Sequence, residues 1–485
     1  MTYLADIGLE VHAELATRSK MFCACPVVDP ALAQPNQAVC PVCLGLPGTL
    51  PVVNQQAVEF GLLVALALDC TVAPVSIFAR KNYFYPDLPK GYQISQYEEP
   101  LAEHGILPIR TSQGVRHIRI RRVHLEEDTG KLTHVQAEDG PYSLVDLNRA
   151  GVPLLEIVSE PDLHTVEEVR VYAESLRSLL LTLGVNSGDM EKGAIRFEAN
   201  VSIRPEGSTE LGTRVEIKNL NSFKAMERAV AYQIGQQGRL LDAGKAVEQE
   251  TLGWDADREV TYSQRSKEEA HDYRYFPEPD LPPLEVDAAL VVRIRKSLPE
   301  LPFALQERLM QQYGINAEEA SLLSGDVSLT RYFEACVRLA NDIPVRAVLN
   351  WITGEVFAWM NQTGESINEI KVLPVALIGL LNQVQQKTIN LNTAKAILSE
   401  MLQSGQTAQA IIQQKGLQQV SDSSLIAVMV KDVLEAHPDE VKAYLAGKET
   451  LANWLFGQVM RQAGGKADPH MIRTELERQL KEKHS

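Results

Sequence analysis

Residues 195–203 read Ile-Arg-Phe-Glu-Ala-Asn-Val-Ser-Ile and alternate apolar and polar side chains from end to end. Because successive side chains of a β-strand point to opposite faces, this pattern predicts a strand with one buried face and one polar face. A turn-rich stretch then leads to residues 214–218, Arg-Val-Glu-Ile-Lys, which alternate in the same way. We therefore expect the two segments to pair as a hairpin that places Glu198 and Glu216 on one face.

Acidic side chains recur on two further segments. In residues 7–12, Ile-Gly-Leu-Glu-Val-His, the pattern places Glu10 and His12 on the polar face of another strand. In residues 124–131, three acids follow one another where a strand gives way to a turn. Carboxylates crowded on one face repel each other unless a cation neutralises them, and oxygen ligands with at most one imidazole suit Mg²⁺ or Mn²⁺. A divalent-metal site is one interpretation, and a solvent-facing sheet surface with ordinary acids is the other.

Residues 80–97 interleave aromatic and basic side chains, and two prolines and a glycine oppose regular structure there. Aromatic rings stack on unpaired bases while cations meet phosphates, so the composition suits a single-stranded nucleic acid. Lys81 and Lys90 could alternatively hold the phosphates of a nucleotide. The remaining alternative is a loop that its aromatic side chains pack onto the core.

Four of the six cysteines lie close together in the sequence. The pair Cys23 and Cys25 is followed, after fourteen residues, by the pair Cys40 and Cys43. Two close pairs separated by a loop can form a tetrahedral Cys₄ zinc site, which leaves no position for water and is therefore structural. The alternative is a set of reduced, unligated thiols.

The composition indicates a multidomain protein without export or membrane signals. The 485 residues exceed the size of one core. The N-terminus lacks a signal-peptide pattern, and the apolar run at residues 60–68 is too short to span a bilayer, so we expect a cytoplasmic protein. A net charge of −16 argues mildly against a plain nucleic-acid binder. The sequence has no P-loop, so any phosphate binding does not use one. It also lacks a serine-rich amidase signature, so another chain must release ammonia if the reaction needs it.

The periodicities predict an α+β chain in three parts. Short strands and helices mix in the first part, where Thr165 and Glu168 form the capping box of the clearest helix. A proline-rich passage at residues 276–283 indicates a nearby domain boundary, and the apolar residues after it have helical spacing. The predicted parts are a mixed domain at 1–295, a helical domain at 296–405 and a small helical tail domain at 406–485.

Seven motifs of the sequence resemble the B subunits of the aspartyl/glutamyl-tRNA(Asn/Gln) amidotransferases. They lie at residues 7–12, 80–87, 124–128, 143–149, 156–162, 218–223 and 272–280. The motifs are long and specific, and the helical remainder matches in layout. The resemblance implies that the first part is a cradle-shaped, kinase-like domain and that the tail serves tRNA.

By this resemblance, the chain uses ATP to phosphorylate the side-chain carboxylate of misacylated Glu-tRNA(Gln) or Asp-tRNA(Asn). Ammonia that the amidase of the complex, its A subunit, releases from glutamine then displaces the phosphate. The small C subunit completes a heterotrimer. The implied cofactors are ATP, Mg²⁺ and structural Zn²⁺. The alternative function is a non-enzymatic, zinc-stabilised RNA-binding scaffold.

The same resemblance assigns roles to residues of this sequence. The catalytic set is Glu10, His12, Glu126, Glu127, Glu198 and Glu216, of which Glu10, His12, Glu127, Glu198 and Glu216 are the expected Mg²⁺ ligands. The expected contacts are Arg80, Lys81 and Lys90 for nucleotide phosphates, Tyr83, Tyr85 and Tyr92 for the tRNA 3′ end, and Cys23, Cys25, Cys40 and Cys43 for zinc. The family often has aspartate where Glu198 stands; the extra methylene keeps a carboxylate but could shift the metal.

Overall fold

The computed structural model describes residues 2–29, 32–266, 272–417, 423–463, 467 and 469–484. The chain divides into two compact units, residues 1–308 and residues 309–485. The first unit holds the described strands together with several helices, and the second unit is helical. The predicted mixture of strand and helix in the first part is confirmed. The division into three domains at residues 295 and 405 stays a prediction.

The first unit contains sixteen described strands and four helices that lie wholly within it. The strands are β1 (Tyr3–Glu14), β2 (Thr71–Val72), β3 (Val75–Ser76), β4 (Phe78–Asn82), β5 (Tyr92–Gln96), β6 (Ala102–Thr111), β7 (Gly114–Glu127), β8 (Lys131–Val135), β9 (Tyr142–Asp146), β10 (Pro153–Ser159), β11 (Ile195–Pro205), β12 (Val215–Leu220), β13 (Glu250–Asp255), β14 (Val260–Ser266), β15 (Phe276–Pro277) and β16 (Leu284–Glu285). The helices are α1 (Gln55–Ala67), α2 (Val166–Thr182), α3 (Phe223–Asp242) and α4 (Ala288–Ser297).

Nine of the described strands form one sheet in the order β14-β13-β12-β11-β1-β10-β7-β6-β2. Neighbouring strands are antiparallel except β12 and β13, which run parallel. Strand β1 lies at the centre, with β11 on one side and β10 on the other. The other described strands form the small sheets β15-β4-β5, β16-β3 and β8-β9.

The hairpin predicted from the alternating segments is present. Strands β11 and β12 pair antiparallel, with Asn200 opposite Glu216. On the opposite face of β11, Phe197, Ala199 and Val201 are each at most 1% exposed. Burying a large apolar side chain stabilises a fold by roughly 1.5–3 kcal/mol, so the face that each strand presents is strongly fixed.

Three helices cover the apolar face of this sheet, so its polar side chains lie on the opposite face. The predicted capping box of α2 is confirmed, because Thr165 Oγ1 accepts from the Glu168 amide and Glu168 Oε2 accepts from the Thr165 amide. The helix stops at Gly184, whose φ of 67° is in the left-handed region that glycine favours. Helices α1, α2 and α3 share one hydrophobic core with β1, β7, β10 and β11.

The second unit consists of helices in its described residues. Helix α5 (Pro302–Tyr313) contains the boundary between the units. The helices that follow are α6 (Ala317–Ser324), α7 (Val327–Leu339), α8 (Val345–Trp351), α9 (Phe357–Thr363), α10 (Pro374–Gln385), α11 (Leu391–Ser404), α12 (Ala408–Lys415), α13 (Ser423–Ala436), α14 (Pro438–Leu445), α15 (Leu451–Gln462) and α16 (Pro469–His484), with a π-helical segment at Ile352–Val356. Helices α13 to α16 enclose a hydrophobic cluster of their own. Among the described helices, none combines the length and the apolar character needed to cross a membrane.

Candidate active site

Three carboxylates from adjacent strands meet on the polar face of the sheet. Glu10 of β1 is directly opposite Glu198 of β11, and Glu216 lies on the next strand, β12. One carboxylate oxygen from each of the three lies within 4.8 Å of the others. Lys218 Nζ lies 2.8 Å from Glu198 Oε2 and 3.4 Å from Glu216 Oε1. Asn200 Nδ2 donates to Glu10 Oε1 at 2.9 Å. We call Glu10, Glu198 and Glu216 the triglutamate cluster.

The triglutamate cluster carries more negative charge than its single lysine balances. Burial raises the pKa of Glu10, and the neighbouring carboxylates of Glu156, Glu198 and Glu216 raise it further. Burial also acts against ionisation of Glu198, but Lys218 and His12 together outweigh it, and the pKa of Glu198 is lowered. A divalent cation with oxygen ligands would supply the missing positive charge.

A second cluster lies beside the first on the same face. His12 Nε2 is 3.7 Å from Glu126 Oε1 and 3.4 Å from Glu156 Oε2. His124 Nε2 is 3.8 Å from Glu126 Oε2 and 3.2 Å from Glu156 Oε2. Ligand atoms of His12, Glu126 and Glu156 lie within 4.8 Å of one another, so they are close enough to share one ion. We call these four residues the histidine–glutamate cluster.

The carboxylates of the histidine–glutamate cluster raise the pKa values of both imidazoles against the effect of burial. Burial disfavours the charge on His12, but the hydrogen bond and charge of Glu156 raise its pKa to about 9. Burial likewise opposes ionisation of Glu156, and the two histidines more than reverse this, so the pKa of Glu156 is well below its ordinary value. The carboxylates thus favour the charged form of both histidines, and a bound cation would compete with those protons.

The raised pKa of His12 predicts a pH dependence of stability. A histidine whose pKa rises from 6.5 to about 9 on folding adds stability that is complete below pH 6.5 and is lost as pH rises through 9. Without added divalent cations, the free energy of unfolding should therefore fall by about 1–3 kcal/mol more in the native chain than in His12→Asn over this range. Urea unfolding at pH 6.5 and 9.5 measures the difference. The control His117→Asn, at an exposed position of β7, should show the same change of unfolding free energy with pH as the native chain. If His12→Asn also shows the same change as the native chain, the raised pKa of His12 is contradicted.

The structure brings together most of the predicted acids but separates Glu126 from Glu127. Glu126 joins His12, as described above. Glu127 instead forms an ion pair with Lys90 and accepts from the Ile94 amide at 3.0 Å, and it belongs to neither cluster. Because adjacent residues of a strand point to opposite sides, only one of the two can face the clusters. The structure therefore places Glu126 beside His12 and Glu127 beside Lys90, and the role of Glu127 as a metal ligand stays a prediction.

Sequence reasoning missed Glu156 and His124 as site residues. Glu156 lies in the middle of β10, whose seven residues are all buried, and is directly opposite both His12 and His124. The available signal was one acid in an otherwise apolar strand, because a buried carboxylate needs a partner. His124 was visible only as the residue that precedes the row of acids.

The three cations predicted to bind phosphates have different surroundings. Arg80 forms a bidentate ion pair with Glu278, with both nitrogen–oxygen distances 2.7 Å, so its guanidinium already has a partner. Lys90 is paired with Glu127. Burial disfavours the charge on Lys81, but the nearby Glu126 raises its pKa above the ordinary value. Of the three, Lys81 is the one that the structure turns toward the histidine–glutamate cluster.

Aromatic side chains form a group beside Lys81. Tyr97 and Tyr275 are stacked with their centroids 4.1 Å apart, and Tyr273 meets both Tyr83 and Tyr275 edge to face. The ring of Tyr273 lies 5.1 Å from Lys81 Nζ. The membership of Tyr273 and Tyr275 in this group could not be predicted from residues 80–97 alone, since these two residues lie far along the chain.

The tyrosines predicted to bind the tRNA 3′ end have three different surroundings. Tyr83 donates from its hydroxyl to Gln93 Oε1 at 3.0 Å. Tyr85 is 59% exposed. The ring of Tyr92 lies against the Arg80 guanidinium, and Arg80 Cζ is 4.2 Å from the centroid of this ring. Their contact with tRNA stays a prediction.

A cavity of about 220 Å³ adjoins the triglutamate cluster. Glu10 belongs to both, and Asp6, Gly8 and Glu10 alternate along β1 so that they share the cavity side. The other lining residues are Leu9, Arg121, Val158, Ser159, Pro161, Asn200, Ser202, Leu211, Gly212 and Arg214. Aliphatic walls and polar edges of this size can enclose a planar ring and its polar substituents.

The four cysteines predicted to bind zinc lie together in the structure. All four sulfur atoms are within 4.8 Å of one another, and Cys43 Sγ is 3.5 Å from Cys23 Sγ and 3.8 Å from those of Cys25 and Cys40. A tetrahedral ion with metal–sulfur bonds of about 2.3 Å requires sulfur–sulfur distances of about 3.8 Å. The cluster is therefore at metal-binding distance. The other two cysteines, Cys70 and Cys336, are buried elsewhere.

Comparison with known families defines the class of protein to which this site belongs. The family model described as the GatB/GatE catalytic domain matches residues 5–292, which include the triglutamate cluster, the histidine–glutamate cluster and the cysteines. A second model, described as the GatB domain, matches residues 331–480.

Full-length relatives identify the particular family. The chain is 51% identical over 480 residues to the B subunit of the aspartyl/glutamyl-tRNA(Asn/Gln) amidotransferase of Moorella thermoacetica, covering 99% of this chain and 100% of that protein. It is 48% identical over 482 residues to the protein of the same name in Thermodesulfovibrio yellowstonii, with the same coverage of both chains. The chain belongs to the family of amidotransferase B subunits, and the predicted family and enzyme class are confirmed.

Proposed function

We propose that the chain activates the side-chain carboxylate of Glu-tRNA(Gln) or Asp-tRNA(Asn) by phosphorylating it with ATP. The observation that carries this proposal is the row of acidic clusters on the polar face of the sheet, with Lys81 and Lys218 beside them. Phosphoryl transfer requires positioning and charge neutralisation more than covalent chemistry, and this face offers both. In this proposal the first unit is a cradle-shaped kinase-like domain.

The proposed reaction has two steps. A carboxylate oxygen of the substrate attacks the γ-phosphorus of ATP, the bond to the β-phosphate oxygen breaks, and ADP leaves. Ammonia then attacks the carbonyl carbon of the acyl phosphate, inorganic phosphate leaves, and loss of a proton yields the amide. Activation is needed because hydroxide is a poor leaving group. The acyl phosphate hydrolyses readily, so the site must exclude water between the two steps.

The residues present fit one or more Mg²⁺ ions. Glu10, Glu198 and Glu216 would hold one, and His12, Glu126 and Glu156 offer a second set of ligand atoms. When bound, Mg²⁺ neutralises phosphate charge and polarises the transferred group. Lys218 keeps Glu198 ionised and directed into the triglutamate cluster. Lys81 places a positive charge where charge on the phosphoryl oxygens must be balanced.

The cavity beside Glu10 is where we place the nucleoside of ATP. Glu10 lines the cavity and also belongs to the triglutamate cluster, so a nucleoside in the cavity would direct its phosphates toward the acids. Gly8 has no side chain to fill this space. A Cβ there would meet the nearest atoms of Ser159 and Glu160 only at 3.6–3.8 Å, so packing alone does not require glycine.

Larger side chains at position 8 should therefore weaken ATP binding. We expect Gly8→Val to raise the KM for ATP about tenfold, roughly 1.4 kcal/mol of binding, because its methyl groups project into the cavity. Gly8→Ala adds a Cβ at ordinary contact distance and serves as the matched smaller change. Steady-state kinetics with varied ATP and with varied tRNA separates the effects. Equal increases in both KM values for Gly8→Val would contradict a nucleoside in this cavity.

The same proposal includes partners and a location. The chain carries no amidase signature, so ammonia would come from the amidase of the complex, its A subunit, with the small C subunit completing the heterotrimer in the cytoplasm. The helical domains at 296–405 and 406–485 would hold the body of the tRNA. Purification of the tagged full chain from its native cells should recover both other subunits. Recovery of the chain alone would contradict the assembly.

We also propose that the cysteine cluster binds a structural Zn²⁺. Its donor set and its sulfur–sulfur distances fit a tetrahedral ion, as described above. All four positions are filled by protein, so the ion would hold the segments around residues 23–25 and 40–43 together and would not take part in the reaction.

The proposed function is tested by measuring ADP release from the reconstituted complex without glutamine. Misacylated tRNA together with Mg²⁺ should stimulate ADP release, and correctly charged Gln-tRNA(Gln) should not, because it has no side-chain carboxylate. If the rate of ADP release does not depend on tRNA, the result would favour a kinase that acts on a small molecule over the proposed function. A complete absence of turnover would favour an RNA-binding scaffold.

A further inference from the structure

Lys20 is the one lysine among the fully buried large side chains of the described residues. Its relative exposure is 0%, although a lysine is almost never fully buried unless its charge has a partner. Moving an ammonium group out of water costs several kcal/mol, which must be offset by nearby negative charge and by hydrogen bonds. The partners of Lys20 therefore reveal the charge of its surroundings.

The partners of the Lys20 ammonium are a carbonyl oxygen and a sulfur atom. Nζ donates to the Leu147 carbonyl at 3.1 Å and to Cys43 Sγ at 3.5 Å. Within the described part of the chain, no carboxylate oxygen lies within 4.0 Å of this Nζ. Glu127 lies beside Gly151, as the lysine stem does, and its Oε1 is paired with Lys90. Of the two hydrogen-bond partners of the ammonium, only the Cys43 sulfur can carry a negative charge, so we take this sulfur as the source of the compensating charge.

The backbone fixes Lys20 to the same cluster. The Lys20 amide donates to the Cys25 carbonyl at 2.9 Å, and the Asn54 side-chain amide donates to the Lys20 carbonyl at 3.3 Å. Lys20 thus contacts the first cysteine pair through its main chain and the second pair through its side chain. Such a placement leaves the ammonium little freedom to turn away from Cys43.

We propose that Lys20 is a positioning residue of the zinc site, which donates a hydrogen bond to the Cys43 thiolate and compensates the negative charge of the metal centre. This role rests on the zinc site proposed above. Four thiolates and one Zn²⁺ carry a net charge of −2, and a buried ammonium reduces that charge. Donors outside the ligand shell orient ligands and tune metal affinity, and their loss typically costs about 10–100-fold in affinity.

The first test compares zinc release from two variants of the full chain. Lys20→Met keeps the length and the apolar stem of the side chain but removes its donors and charge. Lys192→Met makes the same change at an exposed lysine that pairs with Asp29, in the loop between the cysteine pairs. With a chromogenic chelator in excess, Lys20→Met should release Zn²⁺ about 10–100-fold faster than the native chain, and Lys192→Met should not differ from it.

A second measurement separates positioning from mere packing. In the Co²⁺-substituted chain, loss of a hydrogen bond to a thiolate raises the energy of its lone pairs. The thiolate-to-cobalt charge-transfer band should therefore move to longer wavelength in Lys20→Met. In Lys20→Gln, which retains a hydrogen-bond donor without the charge, the wavelength of this band should lie between those of the native chain and Lys20→Met. Lys20→Met should also destabilise the zinc-loaded chain more than the metal-stripped chain.

The outcomes distinguish a failure of the role proposed for Lys20 from a failure of the proposed zinc site. A native chain that binds Zn²⁺, combined with unchanged release and an unchanged cobalt spectrum in Lys20→Met, overturns the role of Lys20 alone. Equal destabilisation of the zinc-loaded and metal-stripped forms also overturns it. A native chain that retains no Zn²⁺ overturns the zinc site and this role together, while amidation remains testable by tRNA-dependent ADP release.

Discussion

Replacing Glu10 by Gln should reduce tRNA-dependent amide formation on the order of 100- to 1000-fold, the usual cost of removing one electrostatic stabiliser from an active site. Glu10 is the acid common to the triglutamate cluster and the adjoining cavity. Glutamine has nearly the same shape, so the loss reflects charge and ligation rather than a packing defect. Its amide can still hydrogen-bond to Asn200, whose Nδ2 contacts Glu10 in the native chain.

The measurement is kcat and KM for amidation by the reconstituted complex, with glutaminase activity followed in parallel. Glu103→Gln is the matched control, because Glu103 is an exposed acid on β6 of the same sheet. Glu198→Asp is a second control, since it keeps a carboxylate at that position, and it should retain most activity. Amidation by Glu10→Gln within a few-fold of the native rate would show that Glu10 is a surface acid and would favour a scaffold role.

Replacing Cys43 by Ser should remove zinc and destabilise the first unit. Cys43 is the most buried of the four cysteines and its sulfur is within 3.8 Å of the other three. The hydrogen bond from Cys23 lowers the pKa of Cys43 to about 4, which favours the thiolate form of this sulfur. We expect the zinc content to fall from about one ion per chain to near zero. Loss of several kcal/mol should lower Tm by at least about 5 °C.

Metal analysis and thermal unfolding of the purified chain test this expectation. Cys336→Ala is the control, because Cys336 is buried in the second unit and does not belong to the cluster. It should keep the full zinc content. If Cys43→Ser retains the zinc content and the Tm of the native chain, the four sulfurs are packed thiols and the proposed zinc site is wrong.

The features that follow from local pattern were visible in the sequence. The alternation in β11 and β12 predicted which side chains share a face, because the pleat of a strand has a fixed period of two. The capping box at Thr165 needed only residues three apart. The two cysteine pairs needed only their spacing.

The features that depend on long-range pairing were not visible. Glu156 joins the histidine–glutamate cluster because β10 pairs with both β1 and β7, and the sequence gives no register for either pairing. Arg80 looked available for phosphate, but its partner Glu278 lies 198 residues away in the sequence. The choice between Glu126 and Glu127 depended on which of two adjacent positions faces inward. A slip of one residue would reverse that choice.

Trapping the activated substrate tests the central claim most directly. Hydroxylamine attacks the carbonyl carbon of an acyl phosphate, inorganic phosphate leaves, and the side chain becomes a hydroxamate. Tandem mass spectrometry distinguishes this side-chain hydroxamate from the α-hydroxamate that hydroxylamine forms when it cleaves the ester bond to the tRNA. With ATP, Mg²⁺ and Glu-tRNA(Gln) or Asp-tRNA(Asn), but without glutamine, the reconstituted complex should form the hydroxamate, and the complex carrying Glu10→Gln should not. Amide formation by an active complex that yields no ATP-dependent hydroxamate would contradict activation by phosphorylation.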